Sequence, residues 1–400
     1  MAVLGGGAAG FFSAIRCKEM HPKADVTLIE ATGKLLSKVK ISGGGRCNVT
    51  TSAHDLDALL SGYPRGSRQL KGPFHRFDNH DTIDWFETRG VPLYAQEDGR
   101  VFPKTDDSQT IVDLLNDQAQ SIGVQVQNGT RIAAIDGLDS GKWSLRTGAD
   151  PIVVDKVIVC TGGSPKRSGL NWLEELGHKI VDPVPSLFTF NMPGNDITQL
   201  TGLSVSDVSL HLNGTKLQTQ GPLLVTHWGM SGPAVLKMSA LAARELAKLE
   251  YTFQIRFRWL DNLSEEQIRA MIRTSIETSG GKQLHNYNPF DLPKRLWSFL
   301  VEKSDFRADH LWSDLGKKGV NKLVEVLMND NYDIHGKTTF KEEFVTCGGV
   351  DLSSINMKTM ESKVSPGIYF AGEVLDIDGI TGGYNFQAAW TTAWIAGELE

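Results

Sequence analysis

The sequence predicts an α/β fold in which a parallel-sheet domain is interrupted by a large insertion, a β-barrel with a small helical bundle. Three observations carry this. The chain opens on Val3-Leu4-Gly5-Gly6-Gly7-Ala8-Ala9-Gly10, a short apolar strand, a G-x-G-x-x-G turn and a helical run through Ala14 and Ile15. Its middle switches to period two: Val208, Leu210 and Leu212 alternate with Asp207, Ser209 and His211, and Tyr251, Phe253, Ile255, Phe257 and Trp259 with Thr252, Gln254, Arg256 and Arg258. That is the pattern of half-buried antiparallel strands. Near the end, Gly367-Ile368-Tyr369-Phe370-Ala371 returns to a buried apolar strand.

The glycine turn has a specific chemistry. Gly5 permits the tight turn, Gly7 lets the backbone approach a pyrophosphate, and Gly10 lets the helix pack on the strand. The free N–H groups where the helix starts, at Ala8 and Ala9, and its positive end face the phosphates. Roughly 20 residues on, Val26-Thr27-Leu28-Ile29-Glu30 is a second strand ending in an acid, which places Glu30 to hold a ribose hydroxyl pair. A dinucleotide is expected here.

Composition bounds the partners. Four hundred residues allow two or three domains and a sizeable core. A formal charge of -6 gives no electrostatic reason to expect nucleic acid. Cys17, Cys47, Cys160 and Cys347 are scattered without a C-x-x-C, and His54, His75 and His80 are irregularly spaced, so no disulfide framework and no metal site are expected. No apolar run approaches a membrane span and no signal peptide precedes the turn, so a cytoplasmic enzyme with a small-molecule substrate is the expectation.

Taken in order, the next landmark is Ser42-Gly43-Gly44-Gly45-Arg46-Cys47-Asn48, whose three glycines do not suit a helix interior and read as a backbone loop against the cofactor. Lys38 and Lys40 before it either contact phosphate or are simply solvated, with solvation the favoured reading. Leu56 to Asn79 looks loop-rich, broken by Gly62, Pro64, Gly66, Gly72 and Pro73. Asp81–Thr88 reads as a short helix capped by Asp78 or Asn79. Glu97-Asp98-Gly99-Arg100-Val101-Phe102-Pro103 sets a guanidinium in a turn beside an aromatic, which suits an anionic ligand or a surface ion pair. Asp107–Ile122 is helical and stops at Gly123. Three strand-like runs follow, Arg131–Asp136, Lys142–Thr147 and Ile152–Cys160, and the last runs into Thr161-Gly162-Gly163.

Ser42–Asn48, taken with the Gly5–Gly10 turn, resembles the HI0933-like (YhiN-type) family of flavoproteins, relatives of the glutathione-reductase and fumarate-reductase class. Glu97–Pro103, Thr226-His227-Trp228-Gly229-Met230-Ser231-Gly232-Pro233 and Gly372–Gln387 match further motifs of that family. Thr161-Gly162-Gly163 matches its A-T-G-G, with Cys160 in place of alanine and read as buried and inert. The resemblance covers essentially the whole chain. It implies a glutathione-reductase-like Rossmann domain binding FAD, not NAD, at the first site. It also implies that backbone near Ile132 reads the adenine and that Glu373 after Gly372 meets the ribityl chain. Asp376, Gly382, Gly383, Tyr384, Asn385, Gln387 and Ala388 then line the approach to the flavin pyrimidine edge, where a helix N-terminus raises the cofactor's potential.

A disulfide reductase would carry a second G-x-G-x-x-G between Gly163 and Phe344, and none appears; NAD(P)H is left as a transient reductant. The expected division is residues 1–186 and 340–400 for the FAD domain and 187–339 for the insert. Within the insert a β-barrel takes 187–262 and 333–339, and a helical subdomain takes 263–332, with helices Ser264–Thr278, Leu292–Lys303 and Lys317–Met328. Pro233 opens a helix to about Lys248, with His227 and Ser231 at its start. Lys and Arg are nearly balanced by Asp and Glu over the helical segment, against a nucleic-acid face.

The activity expected is that of an FAD-dependent oxidoreductase passing hydride to an activated C=C or C=O. A thiol–flavin oxidoreductase using Cys47 and a non-catalytic flavin-binding redox sensor stay open. The catalytic candidates are Arg46 or Arg100 for developing negative charge, His227 or Tyr384 for the proton, and Cys47 as a thiolate if Arg46 lowers its pKa. The slot for the hydride acceptor is expected between the Arg46–Cys47 and His227 segments.

Overall fold

A computed structural model describes residues 1–339 and 345–399; the expected boundary at 340 and the return at Phe344 lie outside the described residues. The chain divides into two compact units, Met1–Ser186 with Phe340–Glu400, and Leu187–Thr339.

The first unit is built on a seven-stranded sheet. Its order is Ile355–Asn356, Glu361–Ser362, Ile368–Phe370, Val157–Val159, Ala2–Leu4, Thr27–Ile29 and Gln125–Gln127. The last five are parallel, with Val3 level with both Leu28 and Ile158. Ala2, Val3, Val157, Ile158, Val159 and Ile368 are fully buried, which is why these short strands are continuously apolar. From Ala2–Leu4 the chain moves outward on one side and returns to Val157–Val159 on the other, so a crevice opens beyond the carboxyl ends of those two strands. Ligands bind at such a switch point.

Several local expectations shift. The expected run Ile152–Cys160 is two strands in different sheets: Ile152–Val154 completes a meander with Ala134–Gly137 and Trp143–Arg146, and Val157–Val159 enters the main sheet. Asp155 and Lys156 turn the chain between them, with Lys156 Nζ donating to Tyr369 Oη at 3.1 Å. The stretch read as loop holds two helices, Leu56–Ser61 and Ser67–Phe74. Most of its breakers flank helices: Asp55 caps the first, Gly62 follows it and left-handed Gly66 precedes the second, while Gly72 and Pro73 lie inside the last turn of the second. Helix Asn79–Glu87 has a full capping box from Asp78 and Asp81.

A ribbon the sequence did not reveal carries the chain out of this unit and back. Ile180–Ser186 pairs antiparallel with Val345–Val350, Ser186 level with Val345, across an irregularity between Val181 and Val184. Pro183 and Pro185 disguise it, since proline is tolerated only at edges and bulges.

The second unit is a seven-stranded antiparallel sheet in the order Asp330–His335, Thr252–Arg258, Ser204–Leu212, Gln218–Thr226, Gly229–Ser231, Thr189–Asn191 and Lys337–Thr338. The alternating residues face inward: Val208, Leu210, Ile255 and Phe257 are fully buried. Gly336 alone separates the two strands that end the order, so one run of chain pairs with Thr252–Arg258 in its first part and with Thr189–Asn191 in its last. Helices Glu265–Ser279, Lys294–Lys303 and Lys317–Met328 follow the expected spacing, the first capped by Ser264 and Gln267. The helical stretch was expected to reach 332, but strand begins at Asp330, whose carboxylate accepts from Trp259 Nε1 at 2.9 Å and pairs with Lys303 across from the last turn of its helix.

Candidate flavin site

The opening turn shows which glycines its packing needs. Gly5 sits at φ +110, and a Cβ there would lie 2.3 Å from the Cys160 carbonyl oxygen; one on Gly10 would lie 1.8 Å from the Gly5 oxygen. Gly7 is different. Nothing lies within 4 Å of where its Cβ would point, and it caps helix Ala8–Met20 without a side-chain hydrogen bond. The first N–H groups of that helix thus have no side-chain cap and follow an unobstructed Gly7 at the sheet's switch point, an arrangement that fits the pyrophosphate of a dinucleotide.

Glu30 is engaged with the turn itself. Its Oε2 accepts from the Gly6 N–H at 2.7 Å and its Oε1 from Thr32 N and Oγ1 at 2.8 Å. A carboxylate oxygen accepts more than one bond, so the acid can fix the turn and still meet a ribose hydroxyl. Ile132 lies two residues ahead of the Ala134–Gly137 strand, half-buried against the core.

The glycine loop departs from helical geometry as its composition requires. Ser42 is extended, and Gly43, Gly44, Gly45 and Cys47 all take positive φ, between 59 and 85 degrees. Gly43 packs on Phe102 and on the Asn48 N–H, whereas Gly44 and Gly45 face open space. Asn48 Oδ1 accepts from Val101 N at 3.3 Å, tying the loop to strand Arg100–Pro103. Arg46 Nε donates back to the Gly43 carbonyl at 3.3 Å, and its guanidinium stacks 4.1 Å from the ring centroid of buried Phe102. The Arg100 guanidinium lies 5.6 Å from the same ring and pairs with Asp98 at 2.8 Å. The two candidate arginines thus share one aromatic platform. Arg46 is a third exposed, with Asp106 at 3.8 Å.

Cys47 does not behave as the thiolate reading requires. It is fully buried, and burial pushes its thiol up to about 12, against the pull of a hydrogen bond with Ser42. Arg46 points to Phe102 instead. Cys160 is likewise buried, pushed up to about 12, with Sγ 3.5 Å from Ser13 Oγ.

On the far side of the crevice Glu373 is clasped. Its Oε2 pairs with Lys38 at 2.7 Å and its Oε1 accepts from Thr346 N at 2.9 Å. Lys38, half exposed, thus meets the carboxylate expected to face the ribityl chain. Gly162 and Gly163 lie against this carboxylate: a Cβ on Gly163 would fall 2.7 Å from Glu373 Oε1. Thr161 beside them is exposed. Asp376 donates its N–H to Val350 O at 3.0 Å and lines a cleft of about 510 Å³ with Arg65, Gln69, Asp351, Asn356 and Lys363.

Helix Tyr384–Ala396 begins at Gly383, again with no side-chain cap, so a second set of free N–H groups is presented. Two residues expected to contact the cofactor from this helix are buried. Gln387 is fully buried, accepting from Thr50 Oγ1 at 2.6 Å and donating to Thr391 Oγ1 at 3.0 Å; it packs the helix. Ala388 is buried too, its carbonyl accepting from Thr392 Oγ1 at 2.6 Å. Asn385 makes a two-point clasp on the Gly379 backbone, 2.9 and 3.0 Å, which shapes the preceding loop.

Tyr384 is held by contacts that the sequence did not reveal. A Cβ on Gly62 would lie 2.1 Å from its Cε1, and one on Gly379 2.5 Å from its Cβ. The Tyr63 ring stands edge-on at 5.6 Å, and Tyr63 Oη donates to the Tyr384 carbonyl at 2.7 Å. Among the described residues nothing hydrogen-bonds the Tyr384 hydroxyl. No pattern around Gly62 announces its role, because its partner is more than 300 positions away.

In the second unit His227 is not at a helix start. His227 and Trp228 form the turn between strands Gln218–Thr226 and Gly229–Ser231, with His227 exposed and its ring 4.4 Å from that of Trp228. Helix Pro233–Leu241 begins after Gly232, and a second helix, Ala243–Lys248, follows. Among the described residues no group of three or more His, Cys, Asp or Glu could hold a metal ion, and no helix is long and apolar enough to cross a membrane.

The chain is similar to known proteins over nearly its whole length. The chain is 26% identical to a 3-dehydro-bile acid delta(4,6)-reductase of Clostridium scindens, over 99% of this chain and 98% of that protein. It is 29% identical to a ribosomal RNA dihydrouridine synthase of Escherichia coli, over 98% of this chain and 95% of that one. Among solved structures, a 3-ketosteroid delta4-(5alpha)-dehydrogenase from Rhodococcus jostii, in complex with 4-androstene-3,17-dione, shares the fold. Its TM-score is 0.51 at 12% identity, covering 99% of this chain and 95% of that one. The family model for the HI0933-like protein Rossmann domain matches residues 1–399, and the chain belongs to that family of FAD-dependent oxidoreductases.

Proposed function

We propose that this protein saturates a carbon–carbon double bond conjugated to a carbonyl, with Tyr384 supplying the proton. Bound FAD, once reduced, supplies the hydride from N5. Hydride added at the β-carbon leaves negative charge on the carbonyl oxygen, and a proton at the α-carbon completes the reduction. The chain must therefore offer an acid and a stabiliser of that charge.

The observation that carries this reading is the state of Tyr384. Its ring lies against the Gly62 backbone and a second tyrosine, Gly379 packs on its Cβ, and among the described residues its hydroxyl makes no hydrogen bond. A phenol fixed in place and left unpaired suits a proton donor. Arg46, a third exposed on Phe102 and with Asp106 only at 3.8 Å, is the residue assigned to the carbonyl charge; Arg100 is held closer by Asp98, at 2.8 Å. His227 as donor rests on the sequence reading alone.

The names of the relatives support the reaction class. A delta(4,6)-reductase of a 3-dehydro bile acid and a synthase of dihydrouridine both describe loss of a double bond that chemistry places in conjugation with a carbonyl. They differ in substrate. The formal charge of -6 favours a small unsaturated ketone, and uridine in ribosomal RNA is the second reading, favoured by the 29% relative.

The test is anaerobic stopped flow. NADH and NADPH are each mixed with the oxidised holoenzyme, and the reduced protein is then mixed with an α,β-unsaturated steroid ketone or with ribosomal RNA. Tyr384→Phe should leave reduction unchanged and slow substrate-driven reoxidation by about 10²-fold, the scale of a lost general acid. Unchanged reoxidation in Tyr384→Phe, with loss in His227→Ala, would move the donor to His227.

A further inference from the structure

We infer that the buried Arg65–Asp378 ion pair is a positioning element, clamping together the two chain segments that grip Tyr384. Asp378 is fully buried. Its Oδ1 accepts from Arg65 Nε at 2.6 Å, Arg65 Nη2 meets Oδ2, and Ser186 Oγ donates to Oδ2 at 2.8 Å. Burial pushes this carboxyl up, and the Arg65 guanidinium and the Ser186 hydroxyl pull it back. The pair joins segments 62–65 and 378–380 directly: Arg65 and Asp378 form an antiparallel bridge, and Ile380 N donates to the Gly62 carbonyl at 2.8 Å. Gly62 and Gly379, one from each segment, are the two backbones against Tyr384. Asn385 then ties Gly379 to the first turn of the helix that Tyr384 begins.

Stability is not what this pair adds best. An apolar pair of similar volume commonly serves a buried site as well or better. A bidentate guanidinium–carboxylate fork adds direction, because two parallel bonds fix the angle as well as the distance. Here that direction sets the spacing between Gly62, which lies against the Tyr384 ring, and Gly379, which lies against its Cβ. The catalytic consequence rests on the proton-donor reading above; the clamp itself does not.

The experiment separates the two. The holoenzyme is labelled with 3-fluorotyrosine, and the Tyr384 fluorine line is assigned by its absence in Tyr384→Phe. Arg65→Lys keeps the charge but loses the fork. Its Tyr384 line should shift or split while the Tyr287 and Tyr332 lines of the second unit stay put, and kcat should fall by about tenfold with KM and FAD content unchanged. A single Tyr384 line at the wild-type position would overturn the clamp. If Arg65→Lys fails to fold, the double variant Arg65→Met with Asp378→Leu leaves no unpaired buried charge, and a wild-type Tyr384 line there overturns the clamp equally. Wild-type turnover in Tyr384→Phe would refute the proton-donor reading and leave the fluorine result to decide the clamp.

Discussion

Gly62→Ala isolates the placement of Tyr384 from everything else in the site. Gly62 has φ -78 and ψ -1, a conformation alanine adopts freely, so no backbone strain enters. The new methyl would sit 2.1 Å from Cε1, 2.3 Å from Cδ1 and 2.6 Å from Cζ of Tyr384. Carbon atoms rest at about 3.5–4.0 Å, so the ring has to retreat by roughly 1.5 Å. Gly382 lies near the opposite ring edge, where a Cβ, which glycine lacks, would be 3.3 Å from Cε2. Overpacking of this kind costs about 1–3 kcal/mol, offset by up to roughly 1 kcal/mol from replacing glycine at a helix end. The melt should fall by a few degrees. A reacting group misplaced by about 1 Å loses on the order of 10²-fold, so kcat should drop far more than stability does. The assay pairs steady-state turnover of an unsaturated steroid ketone with a thermal melt of the holoenzyme. Adding Gly62→Ala to Tyr384→Phe should cost little further activity, since both act on one group. Wild-type turnover in Gly62→Ala, with the protein folded, would refute the role given to Tyr384.

Three further outcomes are expected. Cys47→Ser should leave reduction of an activated alkene near wild type, because the buried thiol is neutral at working pH; loss of turnover with a charge-transfer band in the reduced wild type would restore the thiol mechanism. Glu30→Ala removes the acceptor of the Gly6 N–H and should weaken FAD by about 10- to 100-fold in a fluorescence titration, the range for a charged hydrogen bond, with the apo-protein still folded; unchanged affinity would contradict it. His178 is buried, its Nδ1–H donating to Leu173 O at 3.2 Å while Nε2 accepts from Ser362 Oγ at 2.8 Å, and burial holds it below its ordinary 6.5. The unfolded chain then binds a proton that the native state refuses. Stability is full above pH 6.5 and falls as pH drops, levelling once the native imidazole also protonates. His178→Gln should flatten that decline in melts between pH 7.5 and 5, and an unaltered slope would assign it to other groups.

What the sequence disclosed was chemistry that neighbours in the chain settle among themselves. The glycine turn, the Asp78 and Ser264 caps and the period-two strands each depend on a few consecutive residues, and the parallel sheet and the flavoprotein family follow from them. Cys47 shows where this stops. Its chain neighbour Arg46 suggested an activated thiol, but positive φ at Cys47 turns the side chain into the core while Val49 hydrogen-bonds Val101 and Arg46 swings onto Phe102. Helices Leu56–Ser61 and Ser67–Phe74 were hidden because most of their glycines and prolines act as boundaries, and the sequence does not separate a boundary from a break.

The contacts around the candidate site that went unseen share one physical feature: each joins residues distant in sequence. Gly62 has meaning only under Tyr384, Arg65 only beside Asp378, and Lys38 only against Glu373. Gln387 is the converse, a polar residue in a flavoprotein motif whose amide is consumed by Thr50 and Thr391. Position within a motif therefore argues for backbone geometry, such as an uncapped helix start at Gly383, more strongly than for a side-chain contact. A polar side chain in such a motif is better assigned to chemistry when its polar atoms remain unspent after the packing is complete. Tyr384 meets that condition and Gln387 does not, which is why the proton is assigned to the phenol at the helix start and not to the amide one turn further on.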